Sequence, residues 1–339
     1  MKVRSAAGAE LGNVEVPKPG PEDALIKVKA TSICGTDVHI YHWDEWAASR
    51  IKTPLVFGHE CSGEVVEVGK NVKNLKVGAH VSVETHIACE TCYQCTHGQE
   101  HVCQNVKVVG IDRPGAFTEY ICLPARNAWV NSDELPWEVG SVLEPYGNAV
   151  HTVNAGEGVN GKTVLVSGCG PIGVMAIGVA KAMGASAIYG TDISDYRLQL
   201  ARQMGPTAVY NAKDPAHFDQ LKDAMHGLGF DVLLEMSGSP AAMEDGFKLL
   251  RNGGTAVLLG LPSAPIKFDF SNYLVLKGTK VYGIYGREIY KTWAQGRELV
   301  DSKKIDLTKV ITHYIPMEKF AEAMALMESG KSGKIIFRM

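Results

Sequence analysis

Residues 163–184, TVLVSGCGPIGVMAIGVAKAMG, decide the fold. A short apolar run, TVLVS, ends in a glycine-rich turn; Pro171 then opens a second apolar run that Gly184 stops. Proline suits the first helical turn, where its missing N–H has no partner to lose, and glycine suits the position just past a helix end. The reading is strand, turn, helix. No charge lies between Lys162 and Lys181, but Gly168, Gly170, Pro171, Gly173 and Gly178 interrupt the run, so a buried strand and helix fit better than a membrane span. Gly168, Gly170 and Gly173 form G-x-G-x-x-G, a spacing that lets backbone N–H groups and a helix N-terminus approach a pyrophosphate. Asp192 lies 19 residues after Gly173, at the end of the next strand. There a carboxylate would accept hydrogen bonds from an adenosine ribose and repel a 2′-phosphate. A turn aspartate capping the helix that begins near Ser194 is the alternative. Arg197 can accommodate a phosphate, so NAD is preferred over NADP rather than required.

Outward from this unit, strand-like and helix-like segments alternate: residues 187–191 then 194–205, 231–236 then 240–254, 255–259, and 280–285. Such alternation predicts an open parallel sheet wound on both faces. Upstream, to about residue 150, short alternating runs such as LIKVKA (25–30) and EVVEV (64–68) predict a mostly β region. After Arg287 two amphipathic helices, TWAQGRELVDS and MEKFAEAMALMESG, are separated by strand-like KVITHYI, and GKIIFRM follows. With 339 residues, and roughly 100 to 200 residues per domain, two domains are expected. A net charge of -3 gives no electrostatic footprint for nucleic acid or an anionic membrane, so neither is expected as a partner. The first twenty residues lack the apolar stretch of a secretory signal, which predicts a cytoplasmic protein with reduced thiols.

In that setting clustered cysteines point to metal. Cys89, Cys92, Cys95 and Cys103 fall within fifteen residues at gaps of two, two and seven. Four thiolates suit tetrahedral zinc in a closed, structural site. An iron–sulfur cluster needs a last gap of three with proline following, whereas Gln104 follows here; unliganded thiols are the other alternative. A second, dispersed set is Cys34 in CGTDVH with His59 and Glu60 in GHE. Singly, each reads as a small buried hydrophobe or a core residue. Beside the cysteine loop they read as thiolate, imidazole and carboxylate around a catalytic zinc that keeps one position for water or substrate. Asp37 could orient the His59 ring.

Taken together, CGTDVH, GHE, the four-cysteine loop and SGCGPIG resemble the zinc-dependent medium-chain alcohol dehydrogenase family over essentially the whole chain. Within it, CGTDVHIYHWDEWA, EPYGNAVHT, LEMSG and GIYGRE resemble the branch that oxidises L-threonine. WDEWA and IYGRE are the more specific marks, because sorbitol, butanediol and simple alcohol dehydrogenases share the zinc and glycine motifs. The resemblance implies an α/β architecture. A GroES-like β-rich catalytic domain would comprise residues 1–147 and 288–339, and a Rossmann doubly wound parallel sheet binding NAD residues 148–287.

The resemblance further implies one catalytic zinc on Cys34, His59 and Glu60 and one structural zinc on Cys89, Cys92, Cys95 and Cys103. It makes Thr36 and His39 a proton relay and Glu144 an acidic aid to proton transfer. Without it, Thr36 and His39 would read as a turn threonine and a surface histidine. It lines NAD with Ile172, Asp192, Arg197, Leu259, Gly260, Leu261, Ile284 and Tyr285 beside the glycine turn. Trp43, Asp44, Glu45 and Trp46 fall on the substrate side, a solvated amphipathic turn being the alternative. The expected reaction is NAD-dependent oxidation of L-threonine to 2-amino-3-oxobutyrate by a homotetramer. A zinc-dependent polyol or 2,3-butanediol dehydrogenase is the alternative; a non-enzymatic nucleotide-binding member of the fold is expected to lack a complete zinc triad, and here the triad is complete. The N-terminus is compressed relative to the family, which bears on the edge of the catalytic sheet.

Overall fold

Ala24, Ile26, Val28 and Ala30 are buried along the strand Asp23–Ser32 while Lys27 stays exposed, so alternate side chains face one core. The computed structural model describes residues 1–339. By contacts the chain forms two units: Met1–Pro145 with Glu288–Trp293 and Ile311–Met339, and Tyr146–Arg287 with Ala294–Val310.

In the first unit, Asp23–Ser32 organises a seven-stranded sheet. Glu60–Val68 and Tyr120–Pro124 pair with it antiparallel, and so does the late strand Lys334–Arg338, with Ser32 opposite Ile336. The two ends of the sequence therefore share one sheet. The compressed N-terminus supplies no strand: Lys2 forms an isolated bridge with Leu55. The Lys2 ammonium is buried and donates to the carbonyls of Gly8 at 2.6 Å and Tyr41 at 2.9 Å, and also to that of Ala6.

The second unit holds a six-stranded parallel sheet in the order Ala208–Asn211, Ala187–Asp192, Thr163–Ser167, Phe230–Glu235, Leu250–Leu258, Lys280–Gly283. The order runs outward in both directions from Thr163–Ser167. This is the doubly wound Rossmann arrangement, whose ligands bind at the carboxyl ends of the strands where the order reverses. Helix Pro171–Ala182 follows the decisive strand, with Gly170 as its N-cap. The strand Ala208–Asn211 and the helix His217–Ala224 escape the sequence reading; the strand is only four residues long and half-buried, too short to set a period.

The C-terminal side also differs from expectation. Ala294–Val310 groups with the second unit, whereas the sequence reading placed all of residues 288–339 with the first. The packing explains it. A side chain at Gly296 would stand 2.9 Å from the Tyr146 ring, and one at Gly178 3.0 Å from Ile305, so these segments lie in close contact. No helix is long and apolar enough to cross a membrane.

Candidate active site

Cys34 caps the helix Gly35–His42, and Asp37 in its first turn accepts the Cys34 N–H at 2.9 Å. This reciprocal capping fixes the thiol at the helix entrance. The next strand along, Glu60–Val68, begins at Glu60, with His59 just before it. The ligand atoms of Cys34, His59 and Glu60 lie within 4.8 Å of one another. Three buried polar atoms there, Asp37 Oδ1, His59 Nδ1 and Glu60 Oε1, have no hydrogen-bond partner. Asp37 Oδ1 stands 3.6 Å from His59 Nδ1, an electrostatic pair just beyond hydrogen-bond length.

The charges around His59 are lopsided. Burial works against its protonated form, but Asp37 and then Cys34 outweigh that and raise its pKa to about 10. Asp37, Cys34 and Glu144 around His59 make a setting that favours a cation. A soft thiolate, an imidazole and a carboxylate converging there fit zinc.

Sequence reasoning missed Lys334. Its ammonium is buried, pairs with Glu60 Oε2 and donates to the Ile33 carbonyl at 2.9 Å. Ser32 Oγ also donates to Glu60 Oε2. One carboxylate oxygen is thereby engaged while Oε1 stays free of partners. The only local signal is a lysine opening the apolar strand KIIFR. Glu144, also buried, accepts from Thr85 Oγ1 at 3.0 Å and adds to the negative field at His59.

Thr36 Oγ1 lies 3.8 Å from Cys34 Sγ. His39 is well exposed, and its Nδ1 meets Asp44 Oδ2 at 2.5 Å. Asp44 also accepts from Ala47 N at 2.9 Å, capping the helix Glu45–Arg50. Trp43, at φ 56°, ends the preceding helix in the left-handed region. The WDEWA segment is thus a capped junction tied to His39 through Asp44, with Glu45 and Trp46 exposed.

The four-cysteine loop brings its sulfurs to one point. Cys92 Sγ stands 3.5 Å from Cys95 Sγ and 3.8 Å from Cys103 Sγ, and all four sulfurs lie within 4.8 Å of one another. Tetrahedral zinc with bonds of about 2.3 Å requires sulfurs about 3.8 Å apart. Cys89 N and Asn105 N each approach Cys103 Sγ at 3.3 Å, as donors to a thiolate should. The Thr91 hydroxyl leads the hydrogen bonds that lower the Cys89 thiol to about 5, whereas burial raises Cys95.

In the second unit each glycine of the turn has its own reason. Gly168 has φ +99° and abuts Ser237; a Cβ on Gly173 would fall 2.0 Å from the Gly168 carbonyl. A Cβ on Gly170 would meet nothing within 4 Å, leaving open space at the N-terminus of helix Pro171–Ala182. That cradle fits a pyrophosphate. Asp192 accepts from Cys169 N at 2.8 Å and Ser194 N at 2.9 Å, with Arg197 3.9 Å away. The cap of the following helix is Ser194, whose Oγ accepts from Arg197 N at 3.4 Å, so capping does not account for Asp192. Leu259, Gly260 and Leu261 follow Leu250–Leu258, and Ile284 and Tyr285 follow Lys280–Gly283. With Ile172 in the first turn of its helix, all these residues lie at the carboxyl ends of the sheet strands.

Residues 20–133 match the alcohol dehydrogenase GroES-like domain, and residues 171–302 match the zinc-binding dehydrogenase family. The chain is 48% identical over 340 residues to the L-threonine 3-dehydrogenase of Pyrococcus abyssi, covering 100% of this chain and 97% of that one. The chain belongs to the zinc-dependent medium-chain dehydrogenase family. It is 47% identical to the L-threonine 3-dehydrogenase of Bacillus subtilis, over 99% of this chain and 96% of that one. Among solved structures, 2R,3R-butanediol dehydrogenase from Bacillus subtilis aligns with TM-score 0.86 and 28% identity, over 97% and 96% of the two chains. A short chain alcohol dehydrogenase from Escherichia coli CFT073, complexed with NADH, aligns with TM-score 0.89 and 26% identity, over 99% and 98%. As a member of this family the chain is an oxidoreductase that works with zinc and a nicotinamide nucleotide.

Proposed function

We propose that this dehydrogenase oxidises the secondary alcohol of L-threonine with NAD, giving 2-amino-3-oxobutyrate, NADH and a proton. The observation that carries the substrate is the 48% identity to L-threonine 3-dehydrogenase across the whole chain, against 28% for the butanediol dehydrogenase. Cys34, His59 and Glu60 hold the catalytic zinc in this reading, and Cys89, Cys92, Cys95 and Cys103 a structural one. When bound, zinc makes the alcohol oxygen more acidic and the nicotinamide ring accepts the hydride from the threonine β carbon.

The chain's own residues do the rest. Thr36, beside Cys34, accepts the alcohol proton as its own hydroxyl proton passes on by way of the nicotinamide ribose to His39, which releases a proton to water; the exposure of His39 suits that end of the path. Asp44 holds the His39 ring by its Nδ1. Buried Glu144 adds negative charge where the proton departs. Residues 148–287 bind the dinucleotide, with Gly168, Gly170 and Gly173 against the pyrophosphate. Asp192 meets the ribose and selects NAD over NADP. Eight cysteines without a disulfide among them suit a reducing compartment such as the cytosol. A homotetramer is the assembly this reading carries.

A substrate panel tests the reading through NADH absorbance. Threonine and 2,3-butanediol both offer a secondary alcohol beside a methyl group, so discrimination must come from groups that pair with the ammonium and carboxylate. Leaving such groups unpaired can cost up to about 10⁴-fold. L-threonine is expected to give the highest kcat/KM. Equal or faster oxidation of butanediol at matched NAD would reassign the substrate to the diol class.

A further inference from the structure

Glu235 closes the strand Phe230–Glu235, with Ser167 opposite it on one side and Leu258 on the other. Its side chain is fully buried and accepts hydrogen bonds from Ser237 and Gly238, the next few residues of its own chain. Oε1 accepts from Ser237 N at 3.0 Å and from the Ser237 hydroxyl, and Gly238 N donates to both oxygens at 3.1 and 3.2 Å. These bonds fold residues 235–238 into one tight turn.

That turn is wedged between two others. On one side a Cβ at Gly168 would lie 2.8 Å from Ser237 Cβ and 2.9 Å from Ser237 N. On the other, a Cβ at Gly260 would lie 2.1 Å from Gly238 N and 2.6 Å from Glu235 Oε2, and one at Gly238 2.4 Å from the Leu261 carbonyl. The main chain ties the same points together: Met236 N donates to Ser167 O at 2.8 Å, and Leu259 N and Gly260 N to Glu235 O at 2.9 and 3.1 Å. The glycine turn lies against the pyrophosphate in the proposed function, and the segment 259–261, at the carboxyl end of Leu250–Leu258, lines the dinucleotide in the family resemblance. The turn that touches both is shaped by one carboxylate.

We propose that Glu235 is a positioning residue for the nicotinamide dinucleotide, a buried strut that sets the spacing between the Gly168 turn and the Leu259–Gly260–Leu261 turn. The inference rests on the proposed nucleotide-binding role of these turns. The strut does not touch the ligand; it lowers the ordering cost of binding by holding two contact surfaces at a fixed separation.

Full-length wild type, Glu235→Gln, Glu235→Ala and Ser237→Ala are compared by NADH fluorescence titration, thermal melting and steady-state kinetics. Gln keeps an oxygen at the Oε1 position and is expected to leave Kd for NADH close to the wild-type value, whereas Ala raises it about tenfold or more. KM for NAD rises with Kd, and kcat falls far less. Should Glu235→Ala fail to fold, Ser237→Ala decides: a Kd raised about threefold with unchanged melting supports the strut, and an unchanged Kd overturns it. Melting temperatures lowered in every variant with Kd for NADH unchanged would also overturn it, because that is what a purely structural turn predicts. If wild type binds neither NADH nor NADPH, the nucleotide reading itself falls and the strut with it, a result told apart by the wild-type titration alone.

Discussion

Asp192 shows how much one carboxylate is asked to do. It already accepts two backbone N–H bonds, from Cys169 and Ser194, which orient it at the strand end. Replacing it with serine removes both the negative charge and a ribose acceptor. Hydrogen bonds to a charged group are worth about 1.5 to 3 kcal/mol, so Asp192→Ser should weaken NAD binding roughly 10- to 100-fold. Arg197, freed of its anionic neighbour, should then favour a 2′-phosphate, and NADP should gain relative to NAD in initial-rate assays. Unchanged relative use of the two cofactors removes Asp192 from the ribose. Among single residues, those whose meaning lies in local spacing were legible in the sequence: the glycines of the turn, the four cysteines and the aspartate after the second strand. Lys334 was not, because its partners are the Glu60 carboxylate and the Ile33 carbonyl, the latter 301 residues away. Nothing within a few positions of a lysine reports a contact of that range. Glu235 is the opposite case: its bonds are local, but its role comes from the two turns packed on either side.

At the scale of elements, the two cysteine-bearing segments divide the labour differently. Cys34 sits at a helix N-cap inside the sheet-bearing unit, where the Asp37 bond and neighbouring strands hold the backbone without a metal. The four-cysteine loop has only a four-residue helix, Tyr93–Thr96, a single 3-10 turn and a two-stranded ribbon to order it. Its apolar support is small: Ala88, Cys95, Cys103 and Ile289 form the buried cluster. A structural metal contributes folding free energy where so little core exists. Cys92→Ser should therefore lower stability by about 3 kcal/mol or more, roughly 6 to 12 °C in the melting midpoint. Cys34→Ser should abolish turnover while the midpoint moves much less. Metal analysis and calorimetry on both variants check this; one zinc lost from each with equal thermal damage contradicts the division. The elements themselves were read well where the period was long and sharp, as in helix Pro171–Ala182. They were missed where a strand is four half-buried residues, as in Ala208–Asn211, which is recognisable only by its pairing with Ala187–Asp192. The N-terminal segment needed the structure as well, since no pattern in residues 1–20 announces that Lys2 is buried against three carbonyls.

At the scale of the whole molecule, the Rossmann sheet ends in an exposed edge. The strand Lys280–Gly283 is its last, and all four residues of that strand are exposed. Nearby, Phe270, Val275, Leu276 and Val281 also leave apolar surface in water, Leu276 at 74% exposure. An unpaired edge with apolar neighbours invites strand addition or aggregation unless it is charged, bulged or covered. Lys280 supplies one charge, but it is paired with Glu157 at 2.6 Å and so does little to repel a neighbour. A second copy of the same chain is the occupant that the proposed homotetramer provides, because a two-fold axis would cover this edge with an identical edge and bury the same residues on both sides. The prediction is that Leu276→Lys combined with Val281→Lys reduces the assembly. Both positions are exposed in the isolated chain, so lysine there costs its fold little, within about 0.5 kcal/mol per site. In an interface the same pair would bring four like charges across a two-fold axis and strip them of water. Light scattering after size exclusion should show the particle mass falling by about half or more in the double variant, while zinc content stays at the wild-type level. A double variant with unaltered mass would show that the edge is not where the copies meet.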